Sequence, residues 1–316
     1  MTTSLQRSKF PIVAAALALA SLASAQEPPE RLAFSRSDQG GYTFDTGVLR
    51  GTLCPNDKPQ GLVSVVHIPT GTKLDSSMGI LSYYRIFTTN KRYGAAGWEW
   101  QGSSSRLLPD GAVRVTWSDT PDRPFELTAL YRWRNPQTLD LETTVRAVRN
   151  LDKFEVFVAS YFDAAFPSPF VYVGENPDNQ DQPGFLAAKK SNGNWQMFPR
   201  EAPVISMIRD GRWKIEPHPV EWAIMPYLAA PIGLRRDTTH GLTAILMSPP
   251  TDCFAIATPC EGESHYSLYP SLLGRDIKAG ETATAHTRFV IAGTASEDEV
   301  LALYKQYRTD LAGSRQ

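Results

Sequence analysis

Glu216-Pro217-His218-Pro219-Val220-Glu221-Trp222 places one imidazole and two carboxylates within seven residues. The prolines preclude a regular central strand, so these side chains can project from a loop toward one pocket. A carboxylate near His218 would raise the imidazole's pKa and make an acid/base pair with it. His218 and Glu221 are therefore the candidate catalytic residues.

The candidate platform for a ligand is the glycine-bracketed aromatic loop Tyr93-Gly94-Ala95-Ala96-Gly97-Trp98-Glu99-Trp100. Tyr93, Trp98 and Trp100 could lay flat apolar faces against the C–H faces of a sugar ring. Read as a strand, the segment puts Trp98 and Trp100 on one face with Glu99 opposed. Arg85, Lys91 and Arg92 could donate hydrogen bonds to hydroxyls or to a uronic carboxylate. His265 and Tyr266, as neighbours on a strand, would point to opposite faces, so at most one of them lines a pocket. The substrate-binding candidates are Arg85, Tyr93, Trp98, Trp100 and His265. His67, His240 and His286 lie in or beside strand-like runs without an immediately adjacent acid and read as structural. Asn176 to Asp181 is oxygen-rich, as a calcium loop must be, but lacks the EF-hand spacing and reads as a polar turn. No zinc-ligand spacing is present, and neither a metal nor a cofactor is implied.

These groups must be positioned by a fold, and the first 25 residues stand outside it. Arg7 and Lys9 form a basic start, Pro11 to Ala23 is apolar, and Ala23-Ser24-Ala25 is a small-x-small cleavage site before Gln26. The apolar run is about two-thirds of the roughly 20 residues a membrane span needs, so residues 1–25 are predicted to be a signal peptide rather than an anchor. Residues 26–316 are then expected as a single exported domain, periplasmic or secreted, with no stable membrane insertion after cleavage. The net charge of −1 becomes −3 once the two signal-peptide cations leave, because the segment holds no acidic residue. That is not the basic footprint of a nucleic-acid binder. Of the three cysteines, Cys54, Cys253 and Cys260, an oxidising compartment permits one disulfide. Cys260, in a loop-like segment, is the better bridge partner, with Cys54 as its candidate mate; three unbridged buried residues is the other reading.

The chain beyond reads as strand after strand. Residues 48–53, 62–68, 81–87, 113–117, 125–133, 139–148, 154–162 and 170–173 are rich in β-branched and aromatic residues, bounded mostly by Gly, Pro, Asn or Asp. Around Asn135-Pro136, period-two alternation puts Phe125, Leu127, Ala129, Tyr131 and Trp133 on one face and Leu139, Leu141, Val145 and Ala147 on the same face of the next strand. Arg132 and Arg134 then oppose Asp140 and Glu142, each pair giving about a few tenths of a kcal/mol. Helical signal is confined to the C-terminus, where Ser296 and Glu299 form a capping box and Val300, Tyr304, Tyr307 and Leu311 recur at helical spacing. Residues 175–220 lose the strand pattern and read as a long excursion across one face of the sheet, of the kind that is often functional.

The order of these segments resembles the aldose 1-epimerase (galactose mutarotase) family. The aromatic loop at 93–100, the strands after it and the closing Val158-Ala159-Ser160-Tyr161-Phe162 carry one block of the likeness. Asp252-Cys253-Phe254-Ala255-Ile256-Ala257-Thr258-Pro259 and the Ile277-Lys278-Ala279-Gly280-Glu281 turn carry the other. The resemblance implies an all-β fold, a β-supersandwich of two large antiparallel sheets with a short C-terminal helix, whose concave face holds a sugar. The family's chemistry rests on two histidines and a glutamate, and the matching positions here are Tyr93, Ala159 and Thr258. Ring opening needs one group to take the anomeric proton and another to protonate the ring oxygen; alanine and threonine do neither.

The resulting expectation is an exported carbohydrate-binding or carbohydrate-processing protein with a carbohydrate ligand, and not a conventional epimerase. The alternatives are a polysaccharide lyase or glycoside hydrolase using loop carboxylates and histidine, with Asp163, Glu221 and Glu261 as candidates, and a non-enzymatic envelope protein. Arg85, Trp98, Trp100, His218 and Glu221 are predicted to converge on one pocket.

Overall fold

Alternation along the hairpin strands becomes a sandwich. The computed structural model describes residues 1, 32–38 and 40–313; the predicted signal peptide, apart from Met1, lies outside them. A nine-stranded sheet runs in the order Gln182–Ala187, Ser168–Asn176, Leu228–Asp237, Leu242–Met247, Thr282–Ala292, Thr138–Ala147, Phe125–Asn135, Val113–Trp117 and Ser103–Leu107. A seven-stranded sheet runs Ala223–Ile224, Trp195–Pro199, Cys253–Pro259, Ser267–Ile277, Leu151–Tyr161, Ser82–Thr88 and Lys91–Arg92. Every pairing in both is antiparallel except that of Gln196 and Met197 with Ala223 and Ile224, which is parallel. Five short strands between Ser35 and Lys73 form a third sheet that the sequence pattern did not separate from the others.

The two large sheets pack through one apolar layer. Leu127, Ala129, Tyr131, Leu141 and Val145 from the nine-stranded sheet meet Val156, Val158, Ile256, Leu268 and Leu272 from the seven-stranded one. The Phe125–Asn135 strand alternates buried and half-buried along most of its length, as a half-solvated antiparallel strand must. Its opposed charges are rewired: Arg132 opposes Asp140 in register but pairs with Asp110, while Asp140 takes Arg134 and Arg288.

The outer faces are covered differently. The Glu297–Gly313 helix lays Val300, Tyr307 and Leu311 on Ile232, Leu234, Ile245 and Met247 of the nine-stranded sheet. It starts as the capping box required: Ser296 N donates to Glu299 Oε2 at 2.7 Å and Glu299 N to Ser296 Oγ at 3.3 Å. On the seven-stranded sheet the outward side chains Phe87, Phe157, Ala159, Tyr161, Met197, Ala255, Ala257 and Tyr269 are apolar, and residues 200–222 close over them. An Ala202–Ile208 helix, too short for the sequence to signal, contributes Val204, Met207 and Ile208 at i, i+3 and i+4. The rest of the 175–220 excursion is not cover, since the Gln182–Ala187 and Trp195–Pro199 strands extend the sheets themselves. No helix among the described residues is long and apolar enough to cross a membrane.

Candidate functional site

Between the outer face of the seven-stranded sheet and its cover lies a pocket of about 390 Å³. The Ser82–Thr88 strand supplies Tyr84 and Arg85, the Leu151–Tyr161 strand Phe157 and Tyr161, and the Ser267–Ile277 strand Tyr269. Trp195 stands at one side, Trp213, His218, Val220 and Trp222 come from the cover, and His265 from the loop before Ser267. Phe157 stacks on Tyr269 at 4.6 Å and meets Trp213 edge-on at 4.7 Å, while Trp213 and Trp222 cross at 5.1 Å. Phe157 and Tyr161 lie four apart on one strand, so the Ala159 midway between them shares their face and leaves room there.

Arg85 is 3% exposed. Its Nη2 donates to the His218 carbonyl at 2.7 Å and to the Tyr84 hydroxyl at 3.3 Å. Its guanidinium lies over the Tyr84 and Trp213 rings at 4.8 and 5.3 Å. Arg92 donates to the neighbouring Pro217 carbonyl and to Ala95. Burial, and then the charge of Arg85, pull Arg92 down to about 10, so it stays cationic at neutral pH. These bonds hold the 216–219 loop, in which His218 adopts a left-handed φ of 61°. Burial pushes the Tyr161 and Tyr269 hydroxyls well above the ordinary phenol range, so both are neutral donors; Ser267 Oγ donates to Tyr269 at 2.6 Å.

His265 stands exposed at the rim, edge-on to Trp195 at 5.1 Å. Its Nδ1 lies 2.8 Å from Glu263 Oε1. An ionised carboxylate only accepts, so Nδ1 is the nitrogen that donates here, and in the neutral imidazole the lone pair is then on Nε2. Sequence reading had His265 as a binding residue and overlooked Glu263, two positions upstream in the same turn.

Of the predicted site residues, Arg85, His218 and His265 come together in this pocket. Trp98 reaches its edge, stacked on Tyr84 at 5.4 Å and 7°. Gly97 allows that approach: a Cβ there would lie 2.6 Å from the Tyr83 carbonyl oxygen. Trp98 does not share a face with Trp100, because Gly97–Glu99 is a 3₁₀ turn and not a strand. Trp100 packs in the inter-sheet core against Trp117 and Phe125, its Nε1 donating to the Tyr93 carbonyl at 2.9 Å. Tyr93 is buried beside it, its hydroxyl 3.1 Å from Thr88. Neither is available to a ligand in this pocket. Glu221 lines a separate depression beyond the Trp213–Val220–Trp222 wall, so it does not pair with His218.

The remaining candidates have other partners. Asp163 caps a turn at Ala165 N, and Glu261 is exposed outside the pocket lining. Thr258 is buried, donating to Ser267 O at 2.9 Å and accepting from Arg235 at 3.3 Å. His240 and His286 do have acids, Asp237 at 2.7 Å and Asp252 at 2.6 Å; the second comes from the turn before the Cys253–Pro259 strand, which adjacency in sequence does not reveal. Asn176 Oδ1 accepts from Asp178 N at 2.9 Å and Asp178 pairs with Lys189, which accounts for that polar turn. Cys54, Cys253 and Cys260 are all free, and burial pushes the Cys253 thiol up to about 12. Among the described residues no three His, Cys, Asp or Glu side chains gather where they could hold a metal ion.

No protein-family model and no curated protein matches the sequence. Solved structures do. A galactose mutarotase-related enzyme of Lactobacillus acidophilus aligns at 9% identity over 81% of this chain and 99% of its own, with a TM-score of 0.47. A heparan sulfate lyase of Pedobacter heparinus aligns at 8% identity and TM-score 0.47, over 84% of this chain and 37% of its own. An alpha-N-acetylgalactosaminidase of Bifidobacterium bifidum aligns at 12% identity and TM-score 0.48, over 88% of this chain and 37% of its own. The chain is similar to them in fold.

Proposed function

We propose that the protein is an exported carbohydrate-binding or carbohydrate-processing protein whose sugar site is the aromatic pocket under residues 200–222. The observation that carries the reading is the composition of that pocket. Tyr84, Trp195, Trp213 and Trp222 supply flat apolar walls, and Arg85, His218 and His265 supply convergent polar groups. Sugar rings present both apolar C–H faces and hydroxyl edges, and a concave site combining the two kinds of surface suits them. Calorimetric titration with neutral and acidic mono- and oligosaccharides tests it. Saturable binding that Trp222→Ala weakens at least tenfold supports the reading; a blank panel leaves the envelope-protein alternative. Export rests on residues 1–25, and N-terminal sequencing of the protein from the cell envelope or medium should begin at Gln26.

One observation favours turnover as a second reading. Glu263 holds His265 Nδ1 at the rim, which in the neutral imidazole puts the lone pair on Nε2, the arrangement a general base requires. The pocket lining holds no carboxylate, whereas two-carboxylate glycoside hydrolysis requires a flanking pair. Elimination or epimerisation through His265 therefore suits this pocket better than hydrolysis. Product analysis for unsaturated ends, with NMR of anomer exchange, distinguishes these from binding alone; His265→Ala should abolish whichever is found.

A further inference from the structure

We infer that the sugar carries an oxyanion, a uronic carboxylate or a sulfate, and that Arg85 reads it. The inference rests on the proposed sugar site and specifies its ligand. Arg85 has no carboxylate partner among the described residues, and its Nε and Nη1 find no acceptor. The indole Nε1 atoms of Trp213 and Trp222 are also unmatched. All four atoms belong to residues that line the same pocket, and all four are donors.

The aromatic faces beside Arg85 attract its charge but offer no lone pair to its N–H groups. A buried donor left without a partner costs about 1–3 kcal/mol, more when charged. The surroundings deepen the demand for negative charge. Arg92 stands close enough for the two cations to repel, and Lys58 lies over Trp98 at the pocket's edge, 5.9 Å from the ring centroid. Of the carboxylates nearby, Glu263 is occupied by His265, and Glu99 and Glu216, whose charges reach Arg92, make no bond to Arg85. A neutral sugar would bring hydroxyls that donate as well as accept; an oxyanion only accepts, which is what the unmatched groups require.

Calorimetry on the mature protein with glucuronate and galacturonate oligosaccharides, their methyl esters, sulfated analogues and the neutral parents tests this. The acidic forms should bind about tenfold or more tighter than the esters and parents, as one charged hydrogen bond in a buried site implies. Arg85→Gln should remove that preference, so that acid, ester and neutral parent bind alike. Carboxylate and sulfate series distinguish the two sources of charge, and preference for either supports the inference. Equal binding of acid and ester by the unmodified protein overturns the inference and leaves the sugar site standing. So does an acid preference that survives Arg85→Gln. Failure of every sugar to bind overturns both. The acid-against-ester comparison needs no variant, so it holds even if Arg85→Gln does not fold.

Discussion

Two buried arginines flank the same tryptophan layer and are treated in opposite ways. Arg212, fully buried, donates to Glu155 Oε2 at 2.8 Å and to both oxygens of Asp210, and Ser271 Oγ donates to the other Glu155 oxygen at 3.0 Å. Burial alone would lower its pKa; Glu155 and Asp210 outweigh that and raise it. Arg85, on the same face of the sheet, meets one carbonyl, one hydroxyl and two rings. The first arrangement is complete and ties the 200–222 cover to the Leu151–Tyr161 strand. The second is incomplete and faces a cavity. Residue type does not separate a fully bonded cation from one with donors to spare; the match between its donors and the acceptors within reach does.

The contrast is broken most severely at Glu155. Glu155→Ala leaves Arg212 buried with half its partners and should cost about 3–5 kcal/mol in denaturant unfolding. Trp100→Ala should cost a similar amount, about 3–5 kcal/mol, because Trp100 fills the inter-sheet core; it should affect ligand binding only through stability. A loss below about 1 kcal/mol at either position would contradict the packing described. The Asp252–His286 pair is a third, satisfied node. Burial works to raise Asp252, but bonds from His286 and Thr251 outweigh it and hold the carboxyl below its ordinary value. A carboxyl depressed in the folded state stabilises above its unfolded pKa, and that contribution is lost as pH falls below about 4. Asp252→Asn should therefore cost about 1.5 kcal/mol or more at neutral pH and flatten the acid limb of the stability profile. Ser296→Ala, which removes the helix cap, should cost about 1 kcal/mol. The smallest effect is expected at Arg85: Arg85→Met removes two unmatched donors but also the bonds to the His218 carbonyl and the Tyr84 hydroxyl, so the opposed contributions should leave stability within about 1 kcal/mol in either direction.

How far the sequence disclosed this differs between the two layers. The inter-sheet core was legible because the Phe125–Asn135 and Thr138–Ala147 strands alternate strictly, and the C-terminal helix because its capping box is a local signal. The lining of the candidate pocket was half legible. Arg85, His218 and His265 were found by type, as polar groups in an aromatic neighbourhood. Trp100 was misplaced because a 3₁₀ turn breaks the two-residue period that assigned it a face. Phe157, Tyr161 and Tyr269 were passed over because aromatic residues on a strand look alike whether a second layer seals them or a cavity opens above them. Trp213 and Trp222 bracket the 216–221 loop in the sequence, and that bracketing was the available signal for the pocket wall. Glu221 shows the limit of proximity along the chain: three residues from His218, it faces another depression.

The most direct test of the aromatic pocket as the carbohydrate site is a titration followed by the indole N–H resonances of ¹⁵N-tryptophan-labelled protein. With a saturating uronic or neutral oligosaccharide, the Trp195, Trp213 and Trp222 signals should shift together along one binding curve while Trp100 and Trp117 stay in place. Saturable binding that leaves those three signals unmoved, or a full panel of sugars that moves none of them, would contradict the assignment.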